Sequence, residues 1–186
     1  MWRKLKFVTS NSDKVREASD ILECSLDQVS GLNVDEIQAS DFQQIVTHKA
    51  QQAFDELRCP VLVEDSGLSF TAWNGLPGPL IKWFEISVGC PGLLKMLEGF
   101  ENREAFAVCG AVVFDGQEML LARGERRGEI ARSSRGENGF GWDVIFIPEH
   151  HEKTFAEMNF AEKNAISHRR IAFEKLNIKI KNKLDL

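Results

Sequence analysis

The chain reads as an α/β protein, for three reasons. Short apolar runs bounded by polar or glycine-containing turns, at residues 5–8, 61–63 and 144–147, have the length and composition of buried strands. Longer segments, at 42–57 and from about 161, repeat apolar residues at three- and four-residue steps, the period of a helix with one buried face. The 186 residues, 43% apolar and 27% charged, suffice for one domain with a sizeable core or two closely joined lobes. We take residues 1–186 as a single domain.

Residues 5–8 form the first strand, and the polar turn Thr9-Ser10-Asn11-Ser12 follows. Asn11 or Ser12 caps a helix in which Val15, Ala18, Ile21 and Leu22 share a face. In the helix at 42–57 the inward residues are Val46, Ala50, Ala53, Phe54 and Leu57, and Cys59-Pro60 ends it. The strand at 61–63 then terminates in Glu64-Asp65-Ser66-Gly67, and 68–73 reads as another strand. Asn74-Gly75-Leu76-Pro77-Gly78-Pro79 is a rigid, turn-rich loop leading to short helices at 81–87 and 92–97. A hairpin pairs 106–114 with 119–130 around the two-residue turn signal Asp115-Gly116. The strand at 144–147 and a long helix from about Ala161, with Ile166, Phe173, Leu176 and Ile180 inward, close the domain. The lysines of 179–183 suit a helix C-terminus and a solvated face.

The net charge of −5 argues against a nucleic-acid partner or an anionic-membrane partner, both of which need a basic face. A small anionic ligand needs only a few local cations. Cys24, Cys59, Cys90 and Cys109 are scattered without a C-x-x-C pair, which fits reduced thiols in a cytoplasmic protein. The first five residues lack the apolar region of a signal peptide, and no apolar run approaches the ~18 residues of a membrane span. The expectation is a soluble, cytoplasmic domain.

Chemistry concentrates in a few places. Phe140-Gly141-Trp142-Asp143 sets two aromatic faces and a carboxylate around a glycine, the equipment of a nucleobase pocket; a core aromatic cluster capped by a turn carboxylate is the other reading. Trp142 is open to either role, pocket wall or core. Thr9-Ser10-Asn11-Ser12-Asp13-Lys14 lies between a strand and a helix, where free N–H groups bind anions, although the Walker A pattern is absent. Asp65, at the end of a strand, is placed to bind a metal, while Glu64 alternates to the other side. Glu36 is a second candidate carboxylate. Lys82 enters a helix just after the rigid loop, where it can meet phosphate or be one of the ordinary exposed lysines. Lys163 and Ser167 are four residues apart on one helix face, with His168 and Arg169 on either side of that line.

Taken together, these motifs resemble the inosine triphosphate pyrophosphatase family, hydrolases of non-canonical purine nucleoside triphosphates. The signatures are Thr-x-Asn-x-x-Lys at 9–14, Val-Glu-Asp-Ser-Gly-Leu at 63–68, Gly-Leu-Pro-Gly-Pro at 75–79, Ile-Lys-Trp-Phe at 81–84, Phe-Gly-Trp-Asp at 140–143 and Thr-Phe-Ala-Glu-Met…Glu-Lys-Asn-Ala-x-Ser-His-Arg at 154–169. The resemblance implies two α/β lobes around a long, curved mixed β-sheet flanked by helices, an active-site cleft between them, and a homodimer. It implies cleavage of ITP, dITP or XTP between the α- and β-phosphates, with Mg²⁺ as cofactor and Mn²⁺ as a substitute. By motif, Thr9, Ser10, Asn11 and Lys14 hold the triphosphate, and Lys49 and Lys82 add cations. Asp65 and Glu36 bind metal or order the attacking water, and Ser66 contacts substrate. Phe140, Gly141, Trp142, Asp143, Lys163, His168 and Arg169 form the base end, with Phe140 as stacking platform. Asp65 and Lys14 are the expected catalytic pair. Asp143 is an acceptor for the base edge or a group that orders the pocket, and Arg169 is a donor for the 6-keto group. Ser10 stands where the family usually has glycine, which matters if that residue needs positive φ. Two other classes compete: a non-catalytic purine-nucleotide-binding protein, and an oxidoreductase or kinase, the latter disfavoured by the missing glycine-rich motifs.

Overall fold

The computed structural model describes residues 5–35 and 37–184, so Glu36 lies outside the described residues. Strand β1 (Lys6–Val8) runs parallel to β2 (Asp27–Val29) on one side and β3 (Val61–Phe70) on the other. β3 pairs antiparallel with β5 (Glu104–Phe114), β5 with β6 (Met119–Ile130), and β6 with β7 (Phe146–Pro148). The short β4 (Pro77–Gly78) joins β3 off that path, giving a mixed seven-stranded sheet. The helices are α1 (Ser12–Ile21), α2 (Phe42–Leu57), α3 (Ile81–Ser87), α4 (Gly89–Met96), α5 (Phe160–Ile166) and α6 (His168–Leu184).

Period-two alternation along the strands divides the core. Leu62, Cys109 and Ala111 face α1 and α6, where they pack with Phe7, Phe173 and Leu176. Val61, Val63 and Val112 face the opposite way, onto Val46, Ala50 and Ala53 of α2. The far halves of β3 and β5 carry a third cluster, in which Leu68, Phe70 and Ala105 meet Ile81, Leu93 and Phe155. The long strands are thus common to two lobes, and the chemistry lies where the lobes meet.

Four expectations change. Glu64-Asp65-Ser66-Gly67 is not a strand end: β3 continues through it, paired with Ala111, Gly110, Cys109 and Val108 of β5. Gly67 serves close approach, since a Cβ there would stand 2.2 Å from the carbonyl oxygen of Gly78. The hairpin loop has four residues, because Phe114 pairs with Met119 and the Asp115 carboxylate accepts from the N–H groups of Gln117 and Glu118 at 2.9 and 2.8 Å. Residues Gly141–Val144 form a 3-10 turn, and the strand begins only at Phe146. The final helix is broken at Ser167, whose backbone is extended and whose hydroxyl accepts from the N–H of Arg170 at 3.1 Å.

The edge strand β2 was not foreseen. Its Asp27 and Gln28 are exposed and carry no apolar alternation. The lysine-rich end is held as well as solvated: Lys179 donates to the Leu121 carbonyl at 2.6 Å, and Lys183 pairs with Asp115 and Glu118. Among the described residues, no helix is long and apolar enough to cross a membrane.

Candidate active site

The turn after β1 is built by its own side chains. Asn11 caps α1, its Oδ1 accepting from the N–H groups of Asp13 at 2.9 Å and Lys14 at 3.3 Å, while Thr9 Oγ1 accepts from the Asn11 N–H at 3.1 Å. Ser10 is exposed and is not among the residues with positive φ, so serine brings no backbone strain here. Replacing Asn11 by Ala is expected to cost about 1 kcal/mol, read as a lower urea midpoint with unchanged slope.

Lys14 points back from this turn to β3. Its Nζ lies 2.6 Å from Glu64 and 4.0 Å from Asp65. Burial lowers the affinity of this ammonium for its proton, but the two carboxylates outweigh burial and its pKa is raised. A cavity of about 80 Å³ opens beside Asp65, lined by Asp35, Lys49, Ser66, Pro79 and Lys82. Burial pushes the Asp65 carboxyl up, against the pull of Lys14 and Lys49. α2, β3 and α3 thus bring together Lys49, Asp65 and Lys82, which the sequence reading assembled only by motif.

Behind Asp65 runs a buried chain of alternating charge. Arg169 donates to Glu64 at 2.8 Å, to Glu17, and to the Ser66 hydroxyl at 3.4 Å. Glu17 also accepts from Lys163 at 2.7 Å, and Lys163 reaches Asp143 at 2.5 Å. Asp143 closes the series by accepting from the Phe140 N–H at 2.9 Å. Burial acts to raise the Glu64 and Glu17 carboxyls, but Arg169 and its lysine neighbours outweigh it and hold both below the usual carboxylate range. Asp143 is pushed up by burial, an effect Lys163 offsets only in part.

The base-end residues meet around this chain. The Phe140 ring lies over the Lys163 ammonium at 4.6 Å and near the Arg169 guanidinium at 5.8 Å. His168 is buried between Trp142 and Phe155, with ring centroids 5.3 and 6.1 Å away, and neither ring nitrogen has a hydrogen-bond partner among the described residues. Burial, then Arg169 and Lys163, hold it well below its ordinary pKa, so its imidazole is neutral.

Two expectations are corrected here, and one open reading is settled. Arg169 is not an open donor for a base, because its guanidinium is committed to Glu64, Glu17 and Ser66. Trp142 is core, 7% exposed and edge-on to Phe146. Ser167 is buried as the cap of α6, so Lys163 and Ser167 do not share one helix face: Lys163 belongs to α5, and His168 and Arg169 to α6. Gly141 adopts φ +59, and a Cβ there would stand 2.7 Å from Glu85 Oε1.

Glu17 and Glu85 are site residues that sequence reading missed. A signal for each existed. Glu17 stands three residues after Lys14, beside Ala18 on the inward face of α1, where a carboxylate needs a buried partner. Glu85 stands three after Lys82, on the same side of α3.

Comparisons with known proteins bear on the family and the fold. The Ham1 family model matches residues 5–179. An inosine triphosphate pyrophosphatase from Scheffersomyces stipitis is 43% identical over 184 residues, covering 91% of this chain and 94% of its own. A dITP/XTP pyrophosphatase from Ignicoccus hospitalis is 41% identical over 178 residues, covering 94% of this chain and 95% of its own. The solved HAM1 protein from Coxiella burnetii superimposes with a TM-score of 0.83 at 31% identity, covering 96% of this chain and 99% of that one.

Proposed function

We infer the function from one premise: this chain belongs to the Ham1 family. It is a nucleoside triphosphate pyrophosphohydrolase, and its substrates are non-canonical purine nucleotides, ITP, dITP and XTP, split between the α- and β-phosphates into monophosphate and pyrophosphate. One observation carries that reading. A continuous buried charge chain links a cation-and-carboxylate end, Lys14 and Asp65, to an aromatic end, Phe140 and His168.

Mg²⁺ dependence, with Mn²⁺ as a substitute, belongs to the same proposal. The donor set suits such a hard ion: Asp65, Asp35 and the Ser66 hydroxyl line one cavity. No group of three or more His, Cys, Asp or Glu gathers among the described residues. Mg²⁺ usually takes only one or two carboxylates and fills its shell with phosphate and water. Glu36 would be a further carboxylate. When bound, the ion offsets charge on the non-bridging phosphate oxygens. The chain supplies the rest. Asp65, with its raised pKa, accepts a proton from the attacking water, and Lys14, Lys49 and Lys82 hold the phosphates. Phe140 stacks on the base, while the unpartnered His168 nitrogens and backbone N–H groups meet its polar edge. An adenine amino group would leave a buried donor unpaired there, at roughly 1–3 kcal/mol per mismatch. The homodimer and the cytoplasmic location remain part of this proposal. All four cysteines are free thiols, as a reducing compartment requires.

The test incubates the purified protein and Mg²⁺ with ITP, XTP, dITP, ATP or GTP and identifies the products. Pyrophosphate from ITP, dITP and XTP with little from ATP is the expected result. Binding without turnover would favour a non-catalytic nucleotide-binding protein, and orthophosphate with a diphosphate would assign another class of hydrolase.

A further inference from the structure

We propose that Trp83 and Gln52 are positioning residues for the phosphate end of the site. Together they clamp Asp35, Ile37 and Gln38 in place as one wall of the cavity beside Asp65. The proposal rests on the pyrophosphohydrolase reading above and adds to it the groups that hold the site in shape.

The backbone of this wall does little to hold it. Among the described residues between β2 and α2, none is in a helix or strand. Order comes instead from side chains at the two flanks. Gln52 of α2 holds Asp35 at two points, accepting from its N–H at 2.6 Å and donating to its carboxylate at 3.2 Å. At the other flank the Trp83 indole N–H donates to Gln38 Oε1 at 2.6 Å. Asp35, Ile37 and Gln38 all line the cavity, as Trp83 itself does.

Each clamp stands beside a lysine that the proposed function assigns to the phosphates. Gln52 follows Lys49 by three residues on the same side of α2, and Trp83 is the direct neighbour of Lys82 on α3. Lys49 and Lys82 line the cavity with Asp65 and Ser66. The wall is therefore tied to the two helices that carry the cations, and wall and lysines keep one spacing. Trp83 does not earn its place by packing: it is 49% exposed and joins none of the three apolar clusters among the described residues. What explains a half-exposed indole here is the group its N–H holds. A wall ordered before substrate arrives spares the substrate the cost of ordering it, which is a gain in binding rather than in the chemical step.

The experiment measures KM and kcat for ITP with Mg²⁺, and the Kd of pyrophosphate with Mg²⁺ by calorimetry, in the wild type, Trp83→Phe, Gln38→Ala and the double variant. Trp83→Phe keeps an aromatic ring and removes the N–H, and Gln38 is exposed, so neither change threatens the fold. We expect each single variant to raise KM and the pyrophosphate Kd by about threefold to tenfold, the size of one hydrogen bond, with kcat unchanged. The double variant should bind no more weakly than either single one, because both remove the same bond. Adding Gln52→Ala should raise KM and Kd again, since it releases the other flank. An unchanged KM in Trp83→Phe, a loss carried by kcat alone, or effects that multiply in the double variant overturn the clamp while leaving the hydrolase reading intact. A wild type that yields no pyrophosphate from ITP overturns both.

Discussion

Asp65→Asn is expected to lower kcat by at least about 10²-fold, the usual loss when a general base or a metal contact is removed. The substituted amide keeps the shape of the carboxylate but neither accepts a proton from water nor offers a negative charge to a cation. In the proposed mechanism Lys14, Lys49 and Lys82 still hold the phosphates, so substrate binding should suffer far less than turnover. Stability gives an independent check, and its sign is fixed by burial. The folded-state pKa of Asp65 lies above its ordinary value, so the ionised carboxylate opposes folding once pH exceeds that pKa. At neutral pH the Asn variant should therefore unfold at a Tm equal to or above that of the wild type. Lost turnover with a retained Tm locates the defect in the chemistry. Near-normal turnover would remove Asp65 from the mechanism.

Much of this site is written locally, and the remainder only in three dimensions. Residues 42–57 were readable to both ends, because α2 has a continuous apolar face, an aspartate N-cap and a stop before Pro60. The stretch 64–67 misled for a physical reason. Its residue types are those of a turn, and what holds them in a strand is a ladder to β5, whose nearest partner is more than forty residues away. The break at Ser167 was visible in principle, since serine followed by a basic helical run is a cap, but Ala161 to Ile180 shares one apolar period across it. Arg169 looked like a base reader because its guanidinium offers donors suited to a 6-keto group. Its commitment follows from Glu17 and Glu64, which stand 152 and 105 residues away in the chain. No motif spacing reports a pair at that distance.

The buried charge chain has a consequence for stability that a surface network would not have. Lys163 is 3% exposed and bridges Glu17 and Asp143 at 2.7 and 2.5 Å. Lys163→Met keeps the apolar stem and deletes the ammonium. Glu17 retains Arg169, but among the described residues Asp143 retains only the Phe140 N–H. Removing one partner of a buried pair costs about 3–5 kcal/mol, against about 0–1 kcal/mol for an exposed one. For a chain of this length that is a Tm lower by roughly 6–20 °C. The sign with pH distinguishes an orphaned carboxylate from simple loss of packing. Burial already pushes Asp143 up, and without Lys163 its folded-state pKa rises further above the unfolded value. The penalty is then full above that folded-state pKa and fades as pH falls and the carboxyl protonates in both states. Urea unfolding at about pH 8 and about pH 5.5 should show a gap to the wild type that narrows at the lower value. Adding Asp143→Asn to Lys163→Met removes the orphaned charge and should restore part of the loss, with positive coupling between the two sites. A gap that is equal at both pH values, or a double variant less stable than Lys163→Met, would mean that Lys163 holds the fold by packing and that its charge is there for the substrate alone.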